Sequence, residues 1–193
     1  MLPRPFPFAT PPNIETKRMI LKPLTEEDLL AYHKICAEKE TMRYYGLKPH
    51  QNIEDTRKTL EVLHKWFQAN TAIRWGIFYK EWNDELVGDI GFWQFDVLRN
   101  RAEVGAKITM RCQGQGLGYE ALAAVIDFGF TTLDLNGVDG NISEKNKASI
   151  GLVNKLGFRK IGVRPQLSYS IFEKCWQDMI FFSLNKQDWD KHE

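Results

Sequence analysis

A glycine-rich hexapeptide, Gln113-Gly-Gln-Gly-Leu-Gly118, combines residue types that could bind a phosphate group. It stands between a predicted strand and a predicted helix, so the first backbone N–H groups of that helix have no intrahelical acceptor. Those donors and the positive end of the helix dipole favour an anion. The glycines allow close approach of the backbone to a pyrophosphate, because they carry no Cβ. By itself the loop predicts either a phosphate site or a tight strand-to-helix turn.

Two widespread phosphate-binding motifs do not match this loop. A P-loop needs Gly-Lys followed by Ser or Thr, but Tyr and Glu follow Gly118. The dinucleotide fingerprint needs G-x-G-x-x-G at the start of a βαβ unit, whereas Gly114, Gly116 and Gly118 are spaced by two. The pattern that is present is Gln-x-x-Gly-x-Gly, formed by Gln113, Gly116 and Gly118.

This pattern resembles the acetyl-CoA pyrophosphate signature of the GNAT superfamily of N-acetyltransferases. Ile108 lies five residues before Gln113, as the preceding strand of that family requires. Residues 146–158, Asn-Lys-Ala-Ser-Ile-Gly-Leu-Val-Asn-Lys-Leu-Gly-Phe, resemble the second CoA-lining segment of the family. Three further segments resemble the ribosomal-protein alanine N-acetyltransferase branch of the family, namely residues 15–24, 102–105 and 176–178. The resemblance therefore extends from about residue 15 to the C-terminus.

The resemblance implies an α+β fold in one GNAT domain, residues 14–193, preceded by an extended Pro-rich arm, residues 1–13. The central sheet is expected to be mixed and strongly bent, with two splayed strands and flanking α-helices. The pantetheine arm of acetyl-CoA would lie between the splayed strands, where a free backbone N–H would polarise the thioester carbonyl. The residues expected to contact acetyl-CoA are Ile108, Met110, Gln113, Gly114, Gln115, Gly116, Leu117, Gly118, Asn146, Ser149 and Lys155.

Catalytic roles follow from the same resemblance. The amine would attack the thioester directly, so Cys112 beside the loop is not needed as a nucleophile. Glu103, on the strand that leads into the loop, is the first candidate for the base that deprotonates the amine. Its alternative role is an ion pair with Arg99 or Arg101, or a solvent-facing position on the strand. Asp89, on the neighbouring strand, is the second candidate base.

The departing thiolate needs a proton donor. Many GNAT enzymes place a Tyr seven residues after the Asn of the second segment, but Val153 stands there in this sequence. The alanine N-acetyltransferase branch has Ser three residues after the Asn, and Ser149 matches it. Asn146 would then orient the pantetheine or a water molecule. Both residue types are also frequent helix N-caps, which is the alternative role for this pair.

Hydrophobic periodicity predicts the order of the elements. Strands are predicted over residues 18–22, 73–79, 85–95, 101–109, 138–142, 158–163 and 176–184. Helices are predicted from Thr25 and Asn52, after Gly118 and over residues 149–156. The three strands between residues 73 and 109 are joined by short turns and are predicted to be antiparallel. Two loops without a recognisable motif, residues 44–51 and 163–175, are the candidate acceptor-binding loops. No role is assigned to the aromatic residues Tyr44, Tyr45, Trp66, Trp75 and Trp93.

Composition limits the other possibilities. The formal net charge of +1 gives no field that favours nucleic acid or a membrane surface. No apolar run approaches the roughly 20 residues that a membrane span needs. Three cysteines and four histidines lack the spacing of a disulfide framework or a metal site. We therefore expect no metal, and reduced thiols in the cytoplasm.

The sequence thus predicts a cytoplasmic, acetyl-CoA-dependent N-acetyltransferase that acts on a primary amine, first of all the α-amine of a protein N-terminus. A second hypothesis is an acetyltransferase for a small amine, such as a polyamine, an amino acid or an antibiotic. A third is a CoA-binding module without catalysis, because Val153 replaces the usual Tyr. No direct contact with nucleic acid or a membrane is expected. The Pro-rich arm and the many aromatic residues would permit a homodimer.

Overall fold

One mixed β-sheet of eight strands organises the described part of the chain, residues 5–189 of the computed structural model. The strands are β1 (Ile14–Glu15), β2 (Met19–Lys22), β3 (Ala72–Tyr79), β4 (Glu85–Asp96), β5 (Arg101–Ile108), β6 (Gly137–Ser143), β7 (Arg159–Ser170) and β8 (Cys175–Asn185). The α-helices are α1 (Leu29–Ala37), α2 (Lys39–Met42), α3 (Ile53–Gln68), α4 (Leu117–Thr131), α5 (Lys147–Lys155) and α6 (Lys186–Trp189). The strand order is β1-β2-β3-β4-β5-β6-β8-β7.

Strands β3, β4 and β5 form an antiparallel meander, as predicted from their short connections. The turn between β3 and β4 contains Asn83 and Asp84, both with positive φ, a conformation that Asn and Asp tolerate better than most residues. In register, Asp89 of β4 faces Gly76 of β3 on one side and Lys107 of β5 on the other. Charged side chains of neighbouring strands are thereby brought onto the same sheet face.

Strands β5 and β6 are parallel, and they pair only over Arg101–Glu103 and Gly137–Asp139. Beyond that point β6 continues to pair with β8 as far as Ser143. Strand β5 continues to pair with β4 as far as Ile108. The two strands therefore part and leave a gap in the middle of the sheet. The predicted mixed sheet with splayed central strands, flanked by helices in one domain, is confirmed.

Helices cover both faces of the sheet. Helix α4 buries Ala121, Val125 and Ile126 against the main core, which also contains the fully buried Trp75 of β3. Helices α1 and α3 pack on the opposite face around a second cluster. The predicted start of α3 is confirmed, because the Asn52 side chain accepts the backbone N–H of the third helical residue. The predicted start at Thr25 is a short 3-10 turn, Glu26–Asp28, which leads directly into α1.

The prediction for the last hairpin was wrong in one respect. Residues 163–175 were expected to form a loop, but β7 runs to Ser170 and pairs with β8. Pro165 obscured the strand, because proline lacks the N–H that a strand interior uses. It is accommodated at the edge of the sheet, where the register shifts between Arg164 and Ser168.

The N-terminal segment lies against the core. The ring of Phe6 stacks on Phe67 of α3 with 5.3 Å between centroids, and Phe8 lies 5.9 Å from Phe128 of α4. The indole N–H of Trp75 donates to the carbonyl of Pro12, at 2.8 Å. Residues 5–13 contain neither helix nor strand. No helix within residues 5–189 has the length and apolar character needed to cross a bilayer.

Candidate active site

A cleft of about 640 Å³ passes through the sheet where β5 and β6 part. Its walls come from the segment after α2, from α3, from the central part of β5, from β6, from α5 and from the β7–β8 hairpin. The predicted acceptor loop contributes residues 44–47 and His50. The cleft thus lies between the predicted cofactor segments and the predicted acceptor loop.

The edge of β5 that faces the gap carries backbone groups without a strand partner. A Cβ on Gly140 of β6 would lie 3.9 Å from the carbonyl oxygen of Val104, so that carbonyl points into the gap. The N–H of Thr109 donates in the other direction, to β4. Because backbone groups alternate along a strand, the N–H groups of Val104, Ala106 and Ile108 are directed toward the gap. These donors can hydrogen-bond an extended ligand or polarise its carbonyl.

The glycine-rich loop adopts the conformation that a phosphate cradle needs. Gly114 and Gly116 have φ values of 74° and 77°, in the left-handed region that favours glycine. Gly116 is the N-cap of α4, and the first helical hydrogen bond runs from the N–H of Glu120 to its carbonyl. The N–H groups of residues 117–119, which lie between Gly116 and Glu120, have no acceptor within the helix. The loop therefore presents backbone donors suited to an anion, and its contact with the pyrophosphate of acetyl-CoA stays a prediction.

Side chains hold this loop in place. Gln113 Nε2 donates to the carbonyl of Ile108 at 3.1 Å. Arg18, the residue before β2, donates to the carbonyl of Gln115 at 2.9 Å and pairs with Glu120 at 2.6 Å. The guanidinium lies 3.5 Å from the position that a Cβ of residue 116 would take. Arg18 was missed by the sequence analysis, because its partners are about 100 residues away.

The loop adjoins the cleft. A Cβ on Gly118 would lie 3.5 Å from Ile108 and 3.6 Å from Leu152, and Leu152 lines the cleft. Lys155 of α5 was predicted to approach CoA. Its Nζ lies 4.7 Å from the ring centroid of Tyr119, a residue of α4, the helix that follows the loop. Met110 is less central, because it begins a 3-10 turn, is 45% exposed and is not among the lining residues.

Asn146 and Ser149 line the cleft together with Val153. The side chain of Asn146 accepts the N–H of Ser149 at 3.1 Å and thereby caps α5. The capping role is therefore present alongside the position in the cleft. Within residues 5–189, no hydrogen bond occupies the hydroxyl of Ser149, so it can donate to a ligand.

Glu103 lies at the last paired residue of β5, beside the point where the strands part. Its carboxylate accepts the side-chain amide of Asn141, a cleft residue, at 2.7 Å. It makes neither of the ion pairs considered as alternatives, because Arg101 pairs with Asp139 and Arg99 pairs within its own turn. Burial, and then the charge of Asp139, raise the pKa of Glu103 above its ordinary value, which makes the carboxylate a stronger base.

Asp89 cannot act as the second base. Arg74 binds one of its oxygens, and the other accepts from Lys107 Nζ at 2.6 Å and from the Tyr32 hydroxyl at 2.9 Å. Burial by itself would raise the pKa of Asp89, but the charges of Arg74 and Lys107 outweigh it and hold the pKa at about 2. No oxygen of this carboxylate remains for an amine.

Four aromatic residues to which the sequence assigned no role line the cleft, namely Tyr44, Tyr45, Trp66 and Trp93. Trp75 belongs to the main core on the other sheet face. Aromatic spacing does not distinguish a pocket from a core, since both bury large apolar surfaces. The one feature of the sequence that could have assigned Tyr44 and Tyr45 to the cleft was their position in the predicted acceptor loop.

Comparison with known proteins gives the family and the fold. A family model described as Acetyltransferase (GNAT) domain matches residues 18–159. The uncharacterized N-acetyltransferase YoaA of Bacillus subtilis is 34% identical over 158 residues, which cover 82% of this chain and 89% of YoaA. The [ribosomal protein uS5]-alanine N-acetyltransferase of Escherichia coli is 25% identical, over 92% of each chain. The solved structure of spermidine N-acetyltransferase from Vibrio cholerae with CoA and spermine superimposes with a TM-score of 0.79, at 18% identity, covering 90% of this chain and 99% of that one.

The cleft between splayed strands, the glycine-rich loop at the start of α4 and the family match lead to one conclusion. The chain belongs to the GNAT family, and it is an acyltransferase that takes its acetyl group from acetyl-CoA.

Proposed function

We propose that this protein acetylates the α-amine of a protein or peptide N-terminus. The observation that carries the proposal is the charge of the cleft. Among the residues that the structure describes, all four charged side chains that line it are basic, namely Arg43, Lys58, Arg74 and Lys107. Arg43 is paired with Glu40 and Glu173, so the positive charge that remains comes from Lys58 and from Arg74 and Lys107, which share the single carboxylate of Asp89. This charge repels an acceptor with several ammonium groups, whereas an N-terminus brings a single amine attached to a largely neutral chain.

Acetyl-CoA, when bound, supplies an acetyl group activated as a thioester. The N–H groups at the start of α4 would hold its pyrophosphate, and those of Ala106 and Ile108 on the free edge of β5 would bind its carbonyl groups. An α-amine has a pKa of about 7.7–8, so near neutral pH a modest base is sufficient to deprotonate it. Glu103 would accept that proton, directly or through a water molecule, and Ser149 would donate a proton to the sulfur of CoA.

Acetylation of a polyamine is the second candidate, because relatives with that activity in their names share the fold. Besides the base Glu103, recognition of a polyamine requires further carboxylates for its other ammonium groups. Asp89 is fully buried behind Arg74 and Lys107 and is not among the lining residues of the cleft. The charge of the cleft therefore favours the N-terminal α-amine over the polyamine.

The experiment is a comparison of acceptors with the purified protein and acetyl-CoA, measured as thiol release. We expect turnover with peptides that have a free α-amine, and much less with spermidine or with N-acetylated peptides that contain lysine. Faster turnover of spermidine than of every peptide would contradict the proposal. Calorimetric binding of acetyl-CoA without turnover of any amine would support a CoA-binding module, consistent with Val153 in the position of the usual Tyr.

A further inference from the structure

A buried charge cluster forms the floor of the cleft on the α1 side of the sheet. Asp89 of β4 pairs with Arg74 of β3 and with Lys107 of β5. Exposure of the three side chains is 0%, 6% and 4%, respectively. The Tyr32 hydroxyl of α1 completes the cluster, because it donates to Asp89 and contacts Lys107 Nζ at 3.1 Å.

The cluster contains two cations and one carboxylate, so it carries a net charge of +1. Asp89 uses both oxygens, whereas Arg74 Nη1 has no acceptor among the residues that the structure describes. The Lys107 ammonium is otherwise surrounded by rings and lies 4.3 Å from the centroid of Tyr45 and 4.9 Å from that of Tyr32. Rings compensate a buried charge only in part, and an uncompensated buried cation is costly.

The excess charge is presented to the cleft. Arg74 and Lys107 both line it, whereas Asp89 lies behind them. Gly105 stands between Glu103 and Lys107 on the same face of β5, and the Trp93 ring lies against it, since a Cβ on Gly105 would be 2.6 Å from the indole. At about 3.3 Å per residue, Glu103 and Lys107 are separated by roughly 13 Å along the strand, and their long side chains shorten that span. An acceptor that lies across the Trp93 ring would contact both ends of this floor.

From this arrangement we propose that Arg74 and Lys107 form an anion subsite, and that the preferred acceptor is an amine that also carries a carboxylate. The amine would face Glu103 while the carboxylate binds the two cations. This inference rests on the acetyl transfer of the proposed function and adds a carboxylate to the acceptor, which includes free amino acids beside peptide N-termini. The carboxylate has two sources, the α-carboxylate of a free amino acid or an acidic side chain near a peptide N-terminus.

Matched ligand pairs test the subsite without catalysis. Calorimetry of the CoA-loaded protein would compare binding affinities within two pairs of ligands. The first pair is Ala-Glu and Ala-Gln, both as C-terminal amides, and the second is glutamine and glutamine amide. We expect the carboxylate member of at least one pair to bind about tenfold more tightly or better, because charge-assisted hydrogen bonds are stronger than neutral ones. The first pair reports an acidic side chain, and the second reports an α-carboxylate. Equal affinity within both pairs would overturn the proposal.

A variant shows where the preference originates. Lys107→Met removes the excess charge, while Asp89 keeps its bonds from Arg74 and Tyr32. The binding ratio of the favoured pair should fall to near one in this variant. Lys65→Met, which removes an exposed charge of α3 outside the cleft, should leave that ratio unchanged. A ratio that persists in Lys107→Met, in protein with a normal melting transition, would contradict the assignment.

Turnover separates this inference from the proposed function. If the carboxylate ligands bind more tightly but no amine is acetylated, the subsite stands and the proposed function fails. If peptides are acetylated but the carboxylate makes no difference to affinity, the function stands and the subsite fails.

Discussion

The side-chain amide of Asn141 donates to the carboxylate of Glu103, with 2.7 Å between Nδ2 and Oε2, at the point where β5 and β6 stop pairing. Glu103 is the last residue of β5 that pairs with β6, and its register partner is Asp139. Asn141 lies two residues after Asp139 on β6. The bond joins the candidate base to a residue of the cleft wall. It fixes the orientation of a carboxylate whose pKa is raised by burial and by Asp139.

Glu103→Gln should lower kcat by about 10²- to 10⁴-fold, the range that general bases contribute. The raised pKa places the acid limb of the wild-type pH–rate profile above the ordinary range of a glutamate. The rate should fall as the pH falls through that pKa, since the protonated carboxyl cannot accept a proton. The variant should lack this limb and keep only the dependence on the acceptor amine. An unchanged acid limb in the variant would exclude Glu103 as the base.

Gly116→Ala should weaken acetyl-CoA binding, because residue 116 has a φ of 77° and its Cβ would enter the phosphate cradle beside Arg18. Gly46→Ala is the matched control. Gly46 has a φ of 80° and open space around its Cβ, so Ala there has the same backbone strain on the acceptor side of the cleft, away from the glycine-rich loop. Calorimetric titration with acetyl-CoA should show a loss for Gly116→Ala alone. Equal affinities in the two variants would remove the phosphate loop from the cofactor site.

Asn146 and Ser149 should respond differently to truncation. Asn146→Ala removes the cap of α5 and should lower the free energy of unfolding by about 0.5–2 kcal/mol. Ser149→Ala keeps the backbone N–H that the cap uses, so stability should hardly change while kcat falls. Urea unfolding and steady-state kinetics of both variants separate the two roles. A Ser149→Ala enzyme with normal kcat would show that another group protonates the sulfur.

Asp89→Asn should lower the free energy of unfolding by about 3–5 kcal/mol, because two buried cations lose their carboxylate. Asp96→Asn provides a control with the same chemical change in an exposed turn pair with Arg99. Urea unfolding near pH 7 should show a large loss for the first variant and a negligible loss for the second. Similar losses in both would mean that the buried cluster does not contribute selectively to stability.

Acidification should reproduce part of this effect. The pKa of Asp89 is about 2 in the folded protein, below its ordinary value of 3.8. The stabilisation is therefore fully present above about pH 4 and is lost as the pH falls through about 2. Unfolding free energies of wild type and Asp89→Asn, measured between about pH 5 and 3, should converge as the pH decreases. A constant difference across this range would contradict the low pKa.

Local sequence was sufficient for the parts of the site that depend on neighbours in the chain. The loop at residues 113–118 is built from glycine conformations and from the free N–H groups of one helix end, both of which act over a few residues. The Asn146 cap spans three residues, and the meander of β3, β4 and β5 uses short turns. For this reason the antiparallel meander and the strand-to-helix position of the glycine-rich loop could be predicted.

Only the tertiary structure decided the parts that join distant segments. Asp89, weighed as a base, is neutralised by residues of two other strands, and Arg18 reaches a loop about 100 residues away. The extent of β7 depends on pairing with β8, which overrides the local effect of Pro165. Burial and charge pairing depend on contacts between segments that are distant in sequence, and local sequence patterns do not reveal those contacts. The sequence by itself therefore determined the family and the donor of the acetyl group, whereas the charge of the acceptor cleft became visible only in the folded chain.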